Sequence, residues 1–185
     1  LEKIGEATGS SPGGMFVDKK TGSKYYVKEV GIERASIENL AAKLYALAGV
    51  PVAQTEAIEF QGQHALKSTW LEGAKRSFPE AMKKSDQVMN NFVIDAWLGN
   101  WDVVGLNSDN IVRTSDGQFF RIDTGGSLTK RAMGEDKPFG PEVTELKSLL
   151  DPALAPQAAQ VFGKITKDQL AYGAEKLSLI TDDMI

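Results

Sequence analysis

The stretch NIVRTSDGQFFRIDTGGS, residues 110–127, has the pattern of a β-hairpin. A short apolar run at 111–112 predicts one strand, and the run at 119–122 predicts the strand that returns beside it. Between the two runs, Asp116-Gly117 is a dipeptide that favours a two-residue turn. The stretch therefore predicts two antiparallel strands whose outer ends meet.

Polar residues flank this predicted hairpin on both sides. Asn110 precedes the first strand, and Asp123-Thr124-Gly125 follows the second. Because the outer ends of antiparallel strands lie together, the amide oxygen of Asn110 and the carboxylate of Asp123 are expected at one place. These are hard oxygen ligands of the kind that Mg²⁺ prefers, and a nucleotide-bound Mg²⁺ usually takes only one or two from the protein.

A third polar residue precedes the hairpin in the segment GNWDVVGLNSDN. Asp102 lies there at the end of a helical pattern, in a loop that leads to the same place. A carboxylate in that position can orient a hydroxyl nucleophile or accept its proton. The segment therefore adds a candidate acid–base residue to the candidate metal ligands.

The composition restricts the classes of protein and of site. The chain has 185 residues, 42% hydrophobic and 25% charged, a normal globular balance for one domain or two small lobes. The net charge of −4 argues against a nucleic-acid-binding protein with a broad basic surface. The absence of cysteine excludes disulfides and thiolate metal sites, and a Ser-His-Asp triad would have to use the single histidine, His64. No apolar run approaches the length of a membrane span.

The N-terminal part predicts the order strand, strand, helix, strand, strand. The segments LEKIGEA and MFV lie on either side of the loop TGSSPGG, and MFV forms a predicted hairpin with YYVKEV. Apolar residues then recur at helical spacing in IERASIENLAAKLYALAGV, and Gly49 with Pro51 beyond it predicts the end of that helix. Two further strands are expected in VAQTEAIEF and HALKSTWL.

The remainder of the chain predicts helices around the hairpin. A polar, basic stretch at EGAKRSFPEAMKKS indicates a boundary, and one helix is expected in QVMNNFVIDAWLGN, where the apolar residues on one face are Val88, Phe92, Val93, Ala96 and Trp97. Short helical patterns follow in PEVTELKSLL, APQAAQVFG and TKDQLAYGAEKLSLI. Thr166 and Gln169 form a capping-box signature for the last of these.

The hairpin and the loop before it resemble the protein-kinase-like fold. That family pairs a catalytic-loop Asp with a downstream Asn and then places a second metal-binding Asp in a D-x-G triplet after a hairpin. The resemblance assigns Asp102 as the catalytic residue and Asn110 and Asp123 as metal ligands. The triplet here is Asp-Thr-Gly rather than Asp-Phe-Gly, which is more similar to atypical and HipA-type kinases.

The spacing after Asp102 departs from the family pattern. Protein kinases place the Asn five positions after the Asp, which in this chain is Asn107. We favour Asn110, because it directly precedes the hairpin and keeps the family's spacing to the D-x-G triplet. Asn107 stays as the alternative.

The N-terminal half also follows the family's order. The resemblance implies a phosphate-binding glycine-rich loop at GEATGSSPGG, whose candidate residues are Gly9, Ser10, Ser11, Gly13 and Gly14, although it lacks the G-x-G-x-x-G pattern. Lys28 corresponds to the phosphate-binding and catalytic lysine, and Glu38, or alternatively Glu33, to the helix glutamate that holds it. The resemblance further implies an adenine-binding strand and hinge formed by Ser68, Thr69, Trp70 and Leu71.

The resemblance implies an α+β, two-lobed protein-kinase-like fold, with an antiparallel β-rich N-lobe at 1–73 and a short helical C-lobe at 74–185. It implies a phosphotransferase that uses ATP and Mg²⁺ and most resembles a small atypical Ser/Thr protein kinase of bacterial or phage effector or toxin type. The alternatives are a nucleotide-binding pseudokinase or scaffold module, a kinase-fold AMP transferase, and a small-molecule kinase.

The expected partners are ATP and a protein substrate, with no nucleic acid and no membrane span. The chain begins without an initiator Met, which favours a piece of a longer polypeptide. The sequence leaves open whether the protein acts in the cytoplasm or is secreted into a host cell as an effector.

Overall fold

Antiparallel sheets and short helices form the mixed α+β structure of residues 1–8 and 11–185, the part of the chain that the computed structural model describes. The strands are β1 Glu2–Glu6, β2 Gly13–Val17, β3 Lys24–Glu29, β4 Thr55–Phe60, β5 Gln63–Thr69, β6 Lys75–Arg76, β7 Ile111–Arg113 and β8 Phe119–Arg121. The helices are α1 Ile32–Leu47, α2 Pro79–Met82, α3 Asp86–Met89, α4 Phe92–Trp97, α5 Glu145–Ser148, α6 Pro156–Phe162 and α7 Lys167–Ser178, followed by a 3₁₀ turn at Asp182–Met184.

A five-stranded antiparallel sheet of order β1-β2-β3-β5-β4 forms the N-terminal part. Its central strand β3 carries Lys28, which pairs across the sheet with Gly13 on one side and Leu66 on the other. One face is closed by a small core in which the rings of Phe16 and Phe60 meet edge to face at 5.0 Å. Three strands precede α1 where the predicted order has two, and two follow it as predicted. This arrangement places Lys28 in the middle of the sheet.

Strand β2 begins two residues earlier than its sequence pattern predicts, so Gly13 and Gly14 lie in the strand and not in the preceding loop. Both have positive φ, and a Cβ on Gly13 would lie 2.0 Å from the Val27 carbonyl oxygen. A Cβ on Gly14 would lie 2.4 Å from the Gly5 oxygen. The close approach of β1, β2 and β3 therefore accounts for these two glycines, because only glycine fits there without strain.

Helix α1 ends where the sequence predicts, at a left-handed glycine. Gly49 has φ 66°, and its N–H donates to the Ala46 carbonyl while Val50 donates to Tyr45. These two bonds form a Schellman motif, which satisfies carbonyls that a helix end leaves free. The face of α1 turned inward presents buried residues at helical spacing: Ala35, Glu38, Ala41, Ala42, Leu44 and Tyr45.

The β7–β8 hairpin forms, but the prediction of a two-residue turn at Asp116-Gly117 is wrong. Thr114 donates its N–H to the Gln118 carbonyl, so three residues separate the last bonded pair. Gly117 takes the left-handed conformation with φ 92°, as in a three-residue loop that ends in a bulge. Strand β6 pairs with β7 as a third strand, and it lies inside the polar stretch 72–85 that was predicted to be a boundary.

The single helix expected before the loop that contains Asp102 is two short helices, α3 and α4, interrupted at residues 90–91. Asn91 donates from its side chain to the Gln87 carbonyl and accepts a bond from Lys176. Asparagine side chains compete for backbone groups in this way, and that weakens a helix interior. The capping box of Thr166 and Gln169 at α7 is present as predicted.

A second hydrophobic core lies among the short helices and includes residues of the loop that contains Asp102. Phe92 of α4 packs on Phe162 of α6 with ring centroids 4.9 Å apart, and Val103 and Val104 are buried in the same cluster. Within the described residues, no helix is both long and apolar enough to cross a membrane.

Candidate active site

A cavity of about 340 Å³ lies between the five-stranded sheet and the β7–β8 hairpin. The residues proposed from the sequence that line it are Ser11, Lys28, Ser68, Thr69, Trp70, Leu71, Asp102, Asn110 and Asp123. They come from segments far apart in the chain, so the fold brings them to one place. Gly13 and Gly14 do not line the cavity, and Gly9 and Ser10 lie outside the described residues.

Lys28 stands between two carboxylates at the wall of this cavity. Its Nζ lies 2.5 Å from Glu38 Oε1 and 3.2 Å from Asp123 Oδ1. Glu38 belongs to α1, and Asp123 lies two residues after the end of β8. Thr124 donates its hydroxyl to the Glu38 backbone carbonyl over 3.0 Å, which fastens the residues after β8 to α1.

The two glutamates left open by the sequence occupy different environments. Glu38 is 1% exposed and faces β3, whereas the Glu33 side chain is 73% exposed and pairs with Lys130 at 2.9 Å. Helix geometry explains the difference, because residues 38, 41, 42 and 45 share one face and Glu33 lies in the first turn on another. Glu38 is therefore the glutamate that contacts Lys28.

The Lys28 ammonium group is shared by two carboxyl groups, those of Glu38 and Asp123. Burial disfavours the charged form of Lys28, but Glu38 and Asp123 together outweigh it and raise its pKa. Burial raises the pKa of Glu38 to about 7, against the attraction of Lys28. Burial also acts to raise the pKa of Asp123, but Lys28 and the Gly125 N–H overcome this and lower it. Asp123 therefore keeps its charge most readily.

Asn110 and Asp102 are joined to each other where they line the cavity. Asn110 donates from Nδ2 to the Asp102 backbone carbonyl over 2.6 Å and to Asp102 Oδ2 over 3.0 Å. Burial raises the pKa of Asp102, the Asn110 bond opposes this, and the charges of Asp123 and Asp109 add to the rise. Asn107 is exposed and does not line the cavity.

The strand and the segment after it form another part of the wall. Ser68 and Thr69 end β5, and Trp70 and Leu71 follow, with the Trp70 N–H bonded to the Lys24 carbonyl. All four of these residues line the cavity. Tyr26 lines the same space, and its hydroxyl accepts a bond from the Thr8 N–H over 3.0 Å.

Comparisons with known proteins include a distant structural likeness. No protein-family model matches the sequence, and no curated protein matches it either. The solved structures similar to this chain include the crystal structure of CtkA, a proinflammatory kinase of Helicobacter pylori, at 15% sequence identity and a TM-score of 0.49. The alignment covers 67% of this chain and 55% of CtkA, so the chain spans little more than half the length of that protein.

The donor set at the cavity fits a nucleotide-bound Mg²⁺ ion. Asn110 uses its amide NH₂ toward Asp102, which turns its amide oxygen to the other side. Asp123 uses Oδ1 toward Lys28 and the Gly125 N–H, and 42% of its side chain remains exposed at the cavity. One amide oxygen and one carboxylate oxygen are the number and kind of ligands that such an ion takes from a protein.

Sequence reasoning missed a buried polar network behind the cavity. The network consists of four side chains that are at most 1% exposed: Arg121, Asp95, Tyr45 and Asn100. Arg121 is hydrogen-bonded to Asp95, Asp95 to Tyr45, and Tyr45 to Asn100. The spacing of Tyr45 from Glu38 on one helix face was a signal that it points inward. No comparable signal marks Arg121, because an arginine in a strand is ordinarily exposed.

Proposed function

We propose that this protein is an ATP- and Mg²⁺-dependent phosphotransferase that acts on Ser or Thr hydroxyls of a protein substrate. Its lobes would be residues 1–73 and 74–185 of a protein-kinase-like fold, and its type would be a small atypical kinase of bacterial or phage effector or toxin kind. The cavity that brings Lys28 and Asp123 together with Asp102 and Asn110 is the observation that carries this proposal.

The charges of this cavity suit a polyphosphate and a metal together. Lys28 is a cation at the cavity wall, fixed by Glu38, and can contact anionic phosphate oxygens. Asn110 and Asp123 would hold Mg²⁺, which would neutralise charge on the β- and γ-phosphate oxygens. The backbone at 68–71 would contact the adenine, and Ser11 lies in the loop expected above the phosphates.

Asp102 would act on the acceptor rather than on the nucleotide. Its carboxylate would accept a hydrogen bond from the substrate hydroxyl and so align that oxygen with the γ-phosphorus. The oxygen–phosphorus bond then forms, the bond between the γ-phosphorus and the bridging oxygen breaks, and ADP leaves. The hydroxyl proton passes to Asp102, whose pKa is raised by burial and is thereby suited to take it.

The test is incubation with γ-labelled ATP, Mg²⁺ and a mixed protein lysate, followed by mass spectrometry of the modified proteins. We expect added phosphate on Ser or Thr, lost in Lys28→Ala. The matched control is Lys67→Ala, which removes another strand lysine that is paired with Glu56 and lies outside this cavity.

The products of the same experiment separate the alternatives. Transfer of AMP in place of phosphate would identify an AMP transferase with a reversed nucleotide. Nucleotide binding without any transfer to protein would favour a non-catalytic module or a small-molecule kinase. Either result would contradict the proposed phosphotransferase.

A further inference from the structure

We propose that Asn100 positions Asp102 for the reaction and that Tyr45 holds the Asn100 side chain in the orientation that this requires. The inference rests on the proposed function, because it concerns how Asp102 is presented to the acceptor hydroxyl. Within the described part of the chain, the cavity wall includes neither Asn100 nor Tyr45, so both act through another residue.

A chain of hydrogen bonds runs from β8 to the loop that carries Asp102. Arg121 donates from Nε and Nη2 to the two carboxylate oxygens of Asp95, over 3.2 and 2.6 Å. Tyr45 donates its hydroxyl proton to Asp95 Oδ1 over 2.9 Å. Asn100 donates from Nδ2 to the Tyr45 oxygen over 3.0 Å, and its Oδ1 accepts from the Asp102 N–H over 3.2 Å.

The ionised carboxylate determines the direction of each bond in this chain. A carboxylate paired with Arg121 only accepts, so Tyr45 gives its single proton to Asp95. The Tyr45 oxygen is then an acceptor for Asn100, which must present its NH₂ group. The amide oxygen of Asn100 is left facing the Asp102 N–H. Reversal of the amide would leave buried groups unpaired, which is costly in a low-dielectric interior.

The network joins elements that carry both sides of the cavity. Tyr45 belongs to α1, which also carries Glu38, and Asp95 belongs to α4, which leads into the Asp102 loop. Arg121 ends β8, two residues before Asp123. One buried ion pair therefore fixes the starting points of the segments that carry Asp102 and Asp123.

A close backbone approach at Gly126 supports the same arrangement. A Cβ at this glycine would lie 3.1 Å from the Asp102 Cβ and 3.2 Å from Asn100 Oδ1. The segment after Asp123 thus packs directly on the turn formed by Asn100 and Asp102. A small displacement of that turn is therefore expected to move the Asp102 carboxylate, and misplacement of a reacting group by about 1 Å can lower the reaction rate by roughly 10²-fold.

Asn100→Ala and Tyr45→Phe test the inference, with Asn91→Ala as the matched control. Asn91 is also buried and also makes two side-chain bonds, to the Gln87 carbonyl and from Lys176, but it has no bond to Asp102. We expect kcat to fall by on the order of 10²-fold in Asn100→Ala and in the same direction in Tyr45→Phe. The KM for ATP is expected to stay unchanged, because neither residue lines the cavity in which ATP is proposed to bind.

A second measurement follows the Asp102 backbone amide by ¹⁵N NMR. Loss of its acceptor in Asn100→Ala should shift this signal and speed its hydrogen exchange, while Asn91→Ala should change neither. Equal kcat in wild type and Asn100→Ala, or an equal loss in Asn91→Ala, would overturn the inference while leaving the proposed function intact. A folded wild type that transfers no phosphate would instead contradict the proposed function, and the inference with it.

Discussion

Asn110 and Asp102 are tied by two hydrogen bonds from one amide group, to the Asp102 carbonyl at 2.6 Å and to its carboxylate at 3.0 Å. The seven residues between them form a loop whose exposed part includes Leu106 and Asn107. Asn110 is therefore the asparagine that is hydrogen-bonded to Asp102 and lines the cavity, whereas Asn107 is not.

The two asparagines should therefore respond differently to substitution. We expect Asn110→Ala to lower turnover by at least about 10²-fold, because it removes a proposed metal ligand and frees the Asp102 side chain. Asn107→Ala should stay close to the wild-type rate. Steady-state phosphate transfer by both variants checks this, and the reverse ranking would show that the family's standard spacing applies.

Nucleotide binding should stabilise the folded protein. A ligand that binds only the native state adds about 2.7 kcal/mol at a concentration of roughly 100 times its Kd. We expect ATP with Mg²⁺ to raise the Tm of the wild type and of Lys67→Ala, and to raise that of Lys28→Ala much less. Differential scanning fluorimetry measures the Tm values. An unchanged Tm of the wild type at millimolar ATP and Mg²⁺ would show that the protein does not bind this nucleotide.

The burial of Glu38 should make stability depend on pH. Its pKa is raised from 4.5 to about 7 in the folded protein, so between these values the folded state binds a proton that the unfolded state has lost. The free energy of unfolding should then fall as the pH rises through this window. In Glu38→Gln, which keeps a neutral side chain of similar size, this component should vanish.

Urea unfolding of wild type and Glu38→Gln on both sides of that window gives the comparison. The difference between the two proteins isolates Glu38 from the other titrating groups, because these are common to both. Wild type should lose stability relative to the variant as the pH rises. A difference that is the same at both ends would mean that Glu38 has an ordinary pKa.

The Asp95–Arg121 pair should contribute strongly to stability when one partner alone is removed. Both side chains are buried, so Asp95→Ala leaves an unpaired guanidinium and is expected to cost about 3–5 kcal/mol. Glu56→Ala, which breaks the surface pair with Lys67, should cost about 0–1 kcal/mol. Chemical unfolding of both variants checks the ranking, and comparable losses would argue against a fixed buried pair.

Much of the architecture is predictable from local patterns in the sequence. The apolar spacing of α1 and the left-handed Gly49 predict where that helix lies and ends, and Thr166 predicts the start of α7. The exact turn of the hairpin is not predictable from Asp116-Gly117, because Gln118 pairs with Thr114 and Ser115 therefore becomes part of the turn. Such choices depend on competing local hydrogen bonds that differ little in energy.

The candidate site is predictable where its residues have a fixed spacing in the chain. Lys28, Asp102, Asn110 and Asp123 could be named because their order resembles that of the protein-kinase-like family. The network of Tyr45, Asp95, Asn100 and Arg121 could not, because its members acquire meaning only when α1, α4 and β8 meet in space. Polar residues in a buried position are a property of the tertiary fold and leave no periodic signal in the sequence.

Substitution of Asp123 and of Asp102 should change ATP binding and phosphate transfer differently, because Asp123 contacts Lys28 and Asp102 contacts Asn110. Asp123→Ala is expected to weaken metal-dependent ATP binding and phosphate transfer together, because its carboxylate is the proposed Mg²⁺ ligand. Asp102→Ala and Asp102→Asn should bind ATP nearly as well as wild type. Calorimetric titration with ATP and Mg²⁺ separates the two effects from changes in folding.

The rate of phosphate transfer from γ-labelled ATP by Asp102→Asn, measured at saturating ATP on a sample with the wild-type Tm, tests the central claim most directly. We predict a loss of roughly 10²- to 10⁴-fold with ATP affinity unchanged, the range for removal of a positioned base. A folded Asp102→Asn that transfers phosphate at the wild-type rate would show that Asp102 is not the catalytic residue.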